Sequence, residues 1–127
     1  MATQFLLLPQ DQLISRDDFF LEKVRNFILS NLGQRQFGVG DLAKNVHLSV
    51  SQLNRKLNAL IGRPAGKLIW ELRLRYAASL LAHDTGSISE IAHKSGFSDQ
   101  AHFCRSFKKL FFCTPSQYGK QNRSSFQ

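Results

Sequence analysis

The stretch Gly96–Phe111, GFSDQAHFCRSFKKLF, decides the fold. Phe103 and Phe107 stand four apart and Leu110 follows three later, which lays one apolar stripe along a helix. A glutamine, a histidine, a cysteine and three cations fill the remaining positions. Such a helix has an aromatic back to press against its own domain and a front of donors and acceptors for something polar. Ser98 is its expected N-cap.

The neighbouring segments extend the helical pattern. Ser87 and Glu90 form a capping box ahead of ISEIAHKSG. Downstream, TPSQYGKQ puts Thr114 at an N-cap, Pro115 at the first helical position and Gln117 at the box position, so a short closing helix is expected. Near the start, Phe20, Val24, Phe27, Ile28 and Leu32 follow helix spacing, with Ser15 and Asp18 as a candidate box and Gly33 as the stop. The segment VGDLAKNVHLSVSQLNRKLNALIG predicts a short helix over Val39–Val46, a turn through His47 and Leu48, and a second helix over Val50–Ile61. Ser49 and Gln52 box its start, Gly62 stops it, and Leu53, Leu57 and Leu60 form its stripe.

Residues 65–82, AGKLIWELRLRYAASLLA, are apolar on two sides, with Leu72, Tyr76 and Leu80 in one row and Trp70, Leu74 and Leu81 in another. Two apolar faces call for two things to pack against. About 27 Å of helix would therefore join two halves as a rod. No segment alternates like a strand. The expected fold is all-α, with about seven helices in two helix-turn-helix subdomains and a long linker helix. Its divisions are a leader at 1–16, the first subdomain at 17–64, the linker at 65–82, the second subdomain at 83–121 and a tail at 122–127.

The halves repeat. Val39, Leu42, Ala43, Leu48 and Ser49 fall on Ile88, Ile91, Ala92, Phe97 and Ser98 at an offset of 49. Leu53, Arg55 and Leu57 fall on Phe103, Arg105 and Phe107 at 50, and Pro64 falls on Pro115 at 51. Matching Ala, Ser, Arg and Pro, with matching caps, set this apart from two unrelated helix hairpins.

In a helix-turn-helix the second helix enters the DNA major groove. Ser51, Asn54 and Arg55 lie off the leucine stripe of the first half. In the second, Gln100, Ala101, His102, Cys104 and Arg105 surround the front. Arg forks onto guanine, Asn and Gln pair with adenine, His donates or accepts, and a small Ala or Cys lies against a thymine methyl. Phosphates need donors without direction; Lys56, Lys94, Lys108 and Lys109 fit, with Ser49 and Ser98 at the helix starts, where backbone N–H groups point outward.

Charge agrees. Residues 1–41 carry four cations and five anions, whereas residues 42–127 carry thirteen and four, for +9. A polyanion is the expected partner: double-stranded DNA first, with a non-specific basic nucleic-acid binder (DNA or RNA) as the alternative and an anionic lipid surface behind both. Cys104 and Cys113 are nine apart, neither a CxxC nor a zinc-finger spacing, and read as reduced thiols. The four histidines form no HxxxH or HExxH, so neither a metal nor another cofactor is expected. No nucleophile–base pair or phosphate-binding loop suggests an enzyme. No run approaches roughly 18 apolar residues, and QFLLLP is too short for a signal-peptide core, so no membrane association and a cytoplasmic location are expected.

ISEIAHKSGFSDQAHFCRSFKKLFFCTPSQY resembles the signature of the AraC/XylS family of bacterial transcription regulators. Gly96, Phe97, Phe103, Arg105, Phe107, Lys108, Lys109, Thr114, Pro115 and Tyr118 fit it, and LAKNVHLSVSQLNRKLNALIGRPAGKLI is similar to the family's first helix-turn-helix. The resemblance covers about residues 19–120. It implies two helices reading successive major grooves on one DNA face, about 34 Å apart, and it supports the base-reading roles above. It also implies RNA polymerase as a partner. The acidic first helix, DDFFLEKVRNFILSNL, looks most like that of hybrid two-component regulators, which implies an upstream sensor or receiver domain. Phe112 departs from the family's glycine stop, and Gly119 from an arginine after the tyrosine.

Overall fold

The computed structural model describes residues 15–83 and 86–124. Among them are seven α-helices and no strand: α1 (Arg16–Ser30), α2 (Val39–Asn45), α3 (Val50–Ile61), α4 (Ala65–Ala82), α5 (Ile88–Lys94), α6 (Gln100–Phe111) and α7 (Pro115–Ser124). All but the last two residues of the expected leader lie outside the described residues. The last helix runs past the expected boundary at 121, because Arg123 Nη1 donates to the Leu81 carbonyl at 3.0 Å. That bond satisfies a C-terminal carbonyl of α4 with a cation, which suits the helix dipole.

Local chemistry marks the helix ends. Ser49–Gln52 and Ser87–Glu90 close full capping boxes, and Thr114 and Gln117 exchange the same pair of bonds. Ser15 accepts from the Asp18 N–H. Three expectations shift: α1 ends at Ser30 on Asn31 and not on a left-handed Gly33, α2 ends at Asn45 and not Val46, and α6 is capped by Asp99, whose Oδ1 accepts the His102 N–H at 2.7 Å, and not by Ser98. Both residue types cap well, and the tighter acceptor, a carboxylate, wins.

Two small cores lie along α4. Ala65 and Ile69 join Val24, Ile28, Leu42, Leu53 and Leu57 in the first. Leu74, Ala77, Ala78 and Leu81 join Ile91, Phe97, Phe103 and Phe107 in the second. The expected rows hold in part: Leu74 and Leu81 are buried, Trp70, Leu72 and Leu80 are half-buried, and Tyr76 is exposed. Burial goes instead to Ala77 and Ala78. Small residues also let α7 lie close on α4, where a Cβ at Gly119 would stand 3.4 Å from the Leu81 carbonyl oxygen and 2.8 Å from Arg123 Nη1.

The phenylalanine stripe is a ladder of rings. Phe97, Phe103, Phe107 and Phe111 follow one another at 5.3, 5.8 and 4.5 Å between centroids, and Tyr118 of α7 meets Phe107 at 5.4 Å. Such pairs contribute about 0.5–1.5 kcal/mol each beyond the area they bury. They fix the angle of α6 against its own core.

Candidate nucleic-acid interface

The two helix-turn-helix units are built alike to the level of single hydrogen bonds. In the first turn, Val46, His47 and Leu48 N–H groups donate to Leu42, Lys44 and Ala43 carbonyls. In the second, Ser95, Gly96 and Phe97 donate to Ile91, His93 and Ala92. Each turn holds one left-handed residue, His47 at φ 59° and Gly96 at φ 87°. Each long helix ends on another, Gly62 at φ 68°, ψ 22° and Phe112 at φ 63°, ψ 20°. Phe112 thus keeps the stop that glycine ordinarily makes, its N–H donating to the Lys108 carbonyl at 2.8 Å. Glycine adopts this conformation freely; phenylalanine adopts it under strain.

The fronts of α3 and α6 also match. Ser51 and Arg55 are exposed on one; Gln100, Ala101, His102 and Arg105 are exposed on the other. His102 additionally meets the Phe97 ring edge-on at 5.5 Å, which holds the imidazole near the turn.

Two expected readers stand elsewhere. Asn54 is half-buried, and its Oδ1 accepts the Ala65 N–H at 2.9 Å. The oxygen needed for a fork onto adenine is therefore committed to the start of α4. Cys104, fifty residues on, is half-buried against the second core. Burial pushes its thiol pKa up, so it stays protonated. The structure explains the substitution between the halves. The residue matching Ala65 is Pro115, the first residue of α7, which has no N–H to satisfy. The prolines themselves are not equivalent, since Pro64 is an N-cap and Pro115 is the next position. Their shared residue type suggested an alignment that their geometry does not support.

The expected phosphate contacts sort in the same way. Lys94, Lys108 and Lys109 are exposed, as are Ser49 and Ser98. Lys56 Nζ instead lies 4.3 Å over the Phe20 ring of α1, a cation–π contact within the first subdomain. The start of α6 carries the Asp99 carboxylate, which disfavours a phosphate at that helix end.

Sequence reasoning missed Arg73. Its Nη2 donates to the Gln34 and Phe37 carbonyls, both at 3.0 Å, across 39 and 36 residues. Burial lowers its pKa, although a guanidinium stays charged. Glu71 was missed too: its carboxylate is buried, with Arg63 Nε at 3.2 Å, close enough for an ion pair but misaligned for a hydrogen bond. The only sequence signal for either is a charged residue on a helix with two apolar faces.

A family model described as a helix-turn-helix domain matches residues 42–121. The chain is 34% identical over 122 residues, 95% of its length, to a histidine kinase, P4, of Formosa agariphila, of which it covers 9%. Its fold is similar to the C-terminal domain of AraT, a response regulator from Geobacillus stearothermophilus, with TM-score 0.76 and 27% identity over 84% of this chain and 88% of that one. It is also similar to the DNA-binding domain of AdpA, a global transcriptional factor solved in complex with a target DNA, with TM-score 0.75 and 25% identity over 83% and 94% of the two chains. The chain spans well under half the length of the curated relatives it matches.

Proposed function

Since the chain belongs to the AraC-type helix-turn-helix family of transcription regulators, we propose that α3 and α6 read bases in successive major grooves of double-stranded DNA. Sequence-specific DNA binding is the activity of this domain. The observation that carries the residue assignment is the matched pair of exposed fronts on matched, core-anchored helices.

Ser51 and Arg55 read one groove; Gln100, Ala101, His102 and Arg105 read the next. Lys94, Lys108 and Lys109, with the Ser49 hydroxyl, hold phosphates, whereas Ser98 stands beside the Asp99 carboxylate and is left out of that set. Asn54 and Cys104 are positioning residues at the two helix junctions. This domain is itself non-catalytic, and the whole protein is a cytoplasmic regulator that engages RNA polymerase and takes its signal from a sensor or receiver module. The histidine kinase relative and the response-regulator likeness support that extension. A phosphoacceptor or sensor domain in the same reading frame is the expected finding, and a frame holding this segment alone would remove it.

Selection of bound duplexes from a random pool tests the domain's reading. The expected product is a long site with two unequal submotifs about one helical turn apart. Arg105→Ala should then cost about 1–3 kcal/mol on that site and relax one or two bases. Equal loss on selected and random DNA would leave a non-specific basic binder.

A further inference from the structure

We propose that Arg73 is a positioning residue that sets the spacing between the two reading helices, so that the domain selects the distance between its two submotifs as well as their sequences. This rests on the two-groove reading above.

The two subdomains meet backbone to backbone. A Cβ at Gly33, past the end of α1, would lie 3.2 Å from the Lys94 carbonyl oxygen at the end of α5. A Cβ at Gly96, in the second turn, would run into the Leu32 carbonyl oxygen. At these two points backbone approaches backbone, so the first subdomain's α1–α2 loop and the second subdomain's turn pack closely. Arg73 rises from the middle of α4 into the same place. Its Nη2 holds two carbonyls of the α1–α2 loop, and its Nε lies 2.8 Å from where a Gly96 Cβ would be. That Nε is buried and makes no hydrogen bond. One planar guanidinium therefore bears on both units at once.

The seam lies close to the reading surfaces in sequence and in space. Phe37 is followed within two residues by α2, the first helix of one motif. Gly96, Ser98 and His102 line the same cleft of about 260 Å³ as Arg73 and Trp70. Releasing Arg73 frees one unit to pivot against the other about α4. Two linked binding units gain affinity only when their separation matches the span of the sites. Rigid linkage rewards the matched spacing and penalises others; a loosened linkage does less of both.

The test uses the 127-residue chain and the two-submotif duplex recovered by selection. Companion duplexes carry one or two extra base pairs between the submotifs, or have one submotif randomised. One extra pair displaces the second submotif by about 3.4 Å and turns it by roughly 34°. Arg73→Ala and Arg73→Lys should weaken binding to the native spacing by on the order of tenfold and flatten the penalty for the inserted pair. Binding to single-submotif duplexes should stay at the parent level, which also reports that each unit is folded. Spacing discrimination equal to the parent's in both variants would overturn the proposal. So would a matching loss on single-submotif duplexes, which would make Arg73 a stability residue only. If the parent itself shows no submotif preference, the two-groove reading fails first, and the two failures are distinguished by that control.

Discussion

The exchange of Asn54 for Cys104 between the halves makes a quantitative prediction. Ala65 is fully buried and its N–H has the Asn54 side-chain oxygen at 2.9 Å as acceptor. Asn54→Cys removes that acceptor and strands the donor, which costs about 1–3 kcal/mol. In urea, with a slope of about 1–3 kcal/mol per molar for a small domain, the midpoint should fall by roughly 1 M. Ala65→Pro alone should also destabilise, because the ring occupies the space of the N–H and presses on the Asn54 oxygen. Pro64 already has the extended backbone, φ −73° and ψ 163°, that a following proline demands. Combining the changes gives the first half the residue types of the second, where Cys104 stands in the place of Asn54 and Pro115, which has no N–H to satisfy, in the place of Ala65. The double variant should therefore recover most of the loss, with a coupling energy of about 2 kcal/mol.

Equilibrium unfolding of the four proteins under reducing conditions closes the cycle. Additive losses would refute the reasoning, since the oxygen and the N–H would then not be acting on each other. Site selection on Asn54→Cys supplies an independent check. Its base preferences should equal the parent's; loss of one adenine-bearing position would return Asn54 to the reading set.

Phe112→Gly should stabilise: a left-handed non-glycine residue costs about 1–2 kcal/mol, and the greater freedom of unfolded glycine returns about 0.4–1 kcal/mol of that. A melting temperature unchanged or lowered would show that the exposed ring contributes more than its backbone strain costs. Lys108→Ala should shrink the slope of log K against log salt by about 0.9 without altering base preference, measured by titration at several salt concentrations. Glu90 accepts the Ser87 backbone N–H at 2.8 Å, with the Ser87 hydroxyl and Lys94 assisting, which holds its pKa below the usual carboxylate range. Its contribution is present above that range and lost as pH falls through the lowered pKa, so Glu90→Gln should soften the acid loss of stability; parallel pH profiles would count against this. Gly96→Ala should destabilise by roughly 1–3 kcal/mol or more, from the strained φ and the collision with Leu32. His47→Ala, at an exposed turn, should be close to neutral in the same unfolding assay.

Interactions that close within four residues were legible in the sequence. The boxes at Ser49, Ser87 and Thr114 and the bounds of α3 follow from residue type and spacing, because a cap bonds its own helix. The Ser98–Asp99 slip arose where two good caps stand side by side. Interactions that cross the chain were not legible. Asn54 looks like a reader until Ala65, eleven residues away, is seen to take its oxygen. Arg73 looks like an ordinary cation of an amphipathic helix until its two carbonyls, more than thirty residues away, are in place.

The differences between the halves separate what the motif requires from what its surroundings require. Both turns need a left-handed residue, yet only the second needs glycine, because only there does another subdomain's carbonyl occupy the Cβ position. Both long helices need a left-handed stop, and among the described residues neither stop has a neighbour pressing on it: beyond its chain neighbours nothing lies within 4 Å of a Cβ at Gly62, and Phe112 is 87% exposed. Phenylalanine is therefore sterically admissible at the second stop, at the cost of backbone strain alone. The constraint from outside the motif falls on Gly96, the residue that sits between the Leu32 carbonyl and Arg73. The tightest steric demand in the second motif is thus made by the junction between the two subdomains, the place where the spacing role proposed for Arg73 acts.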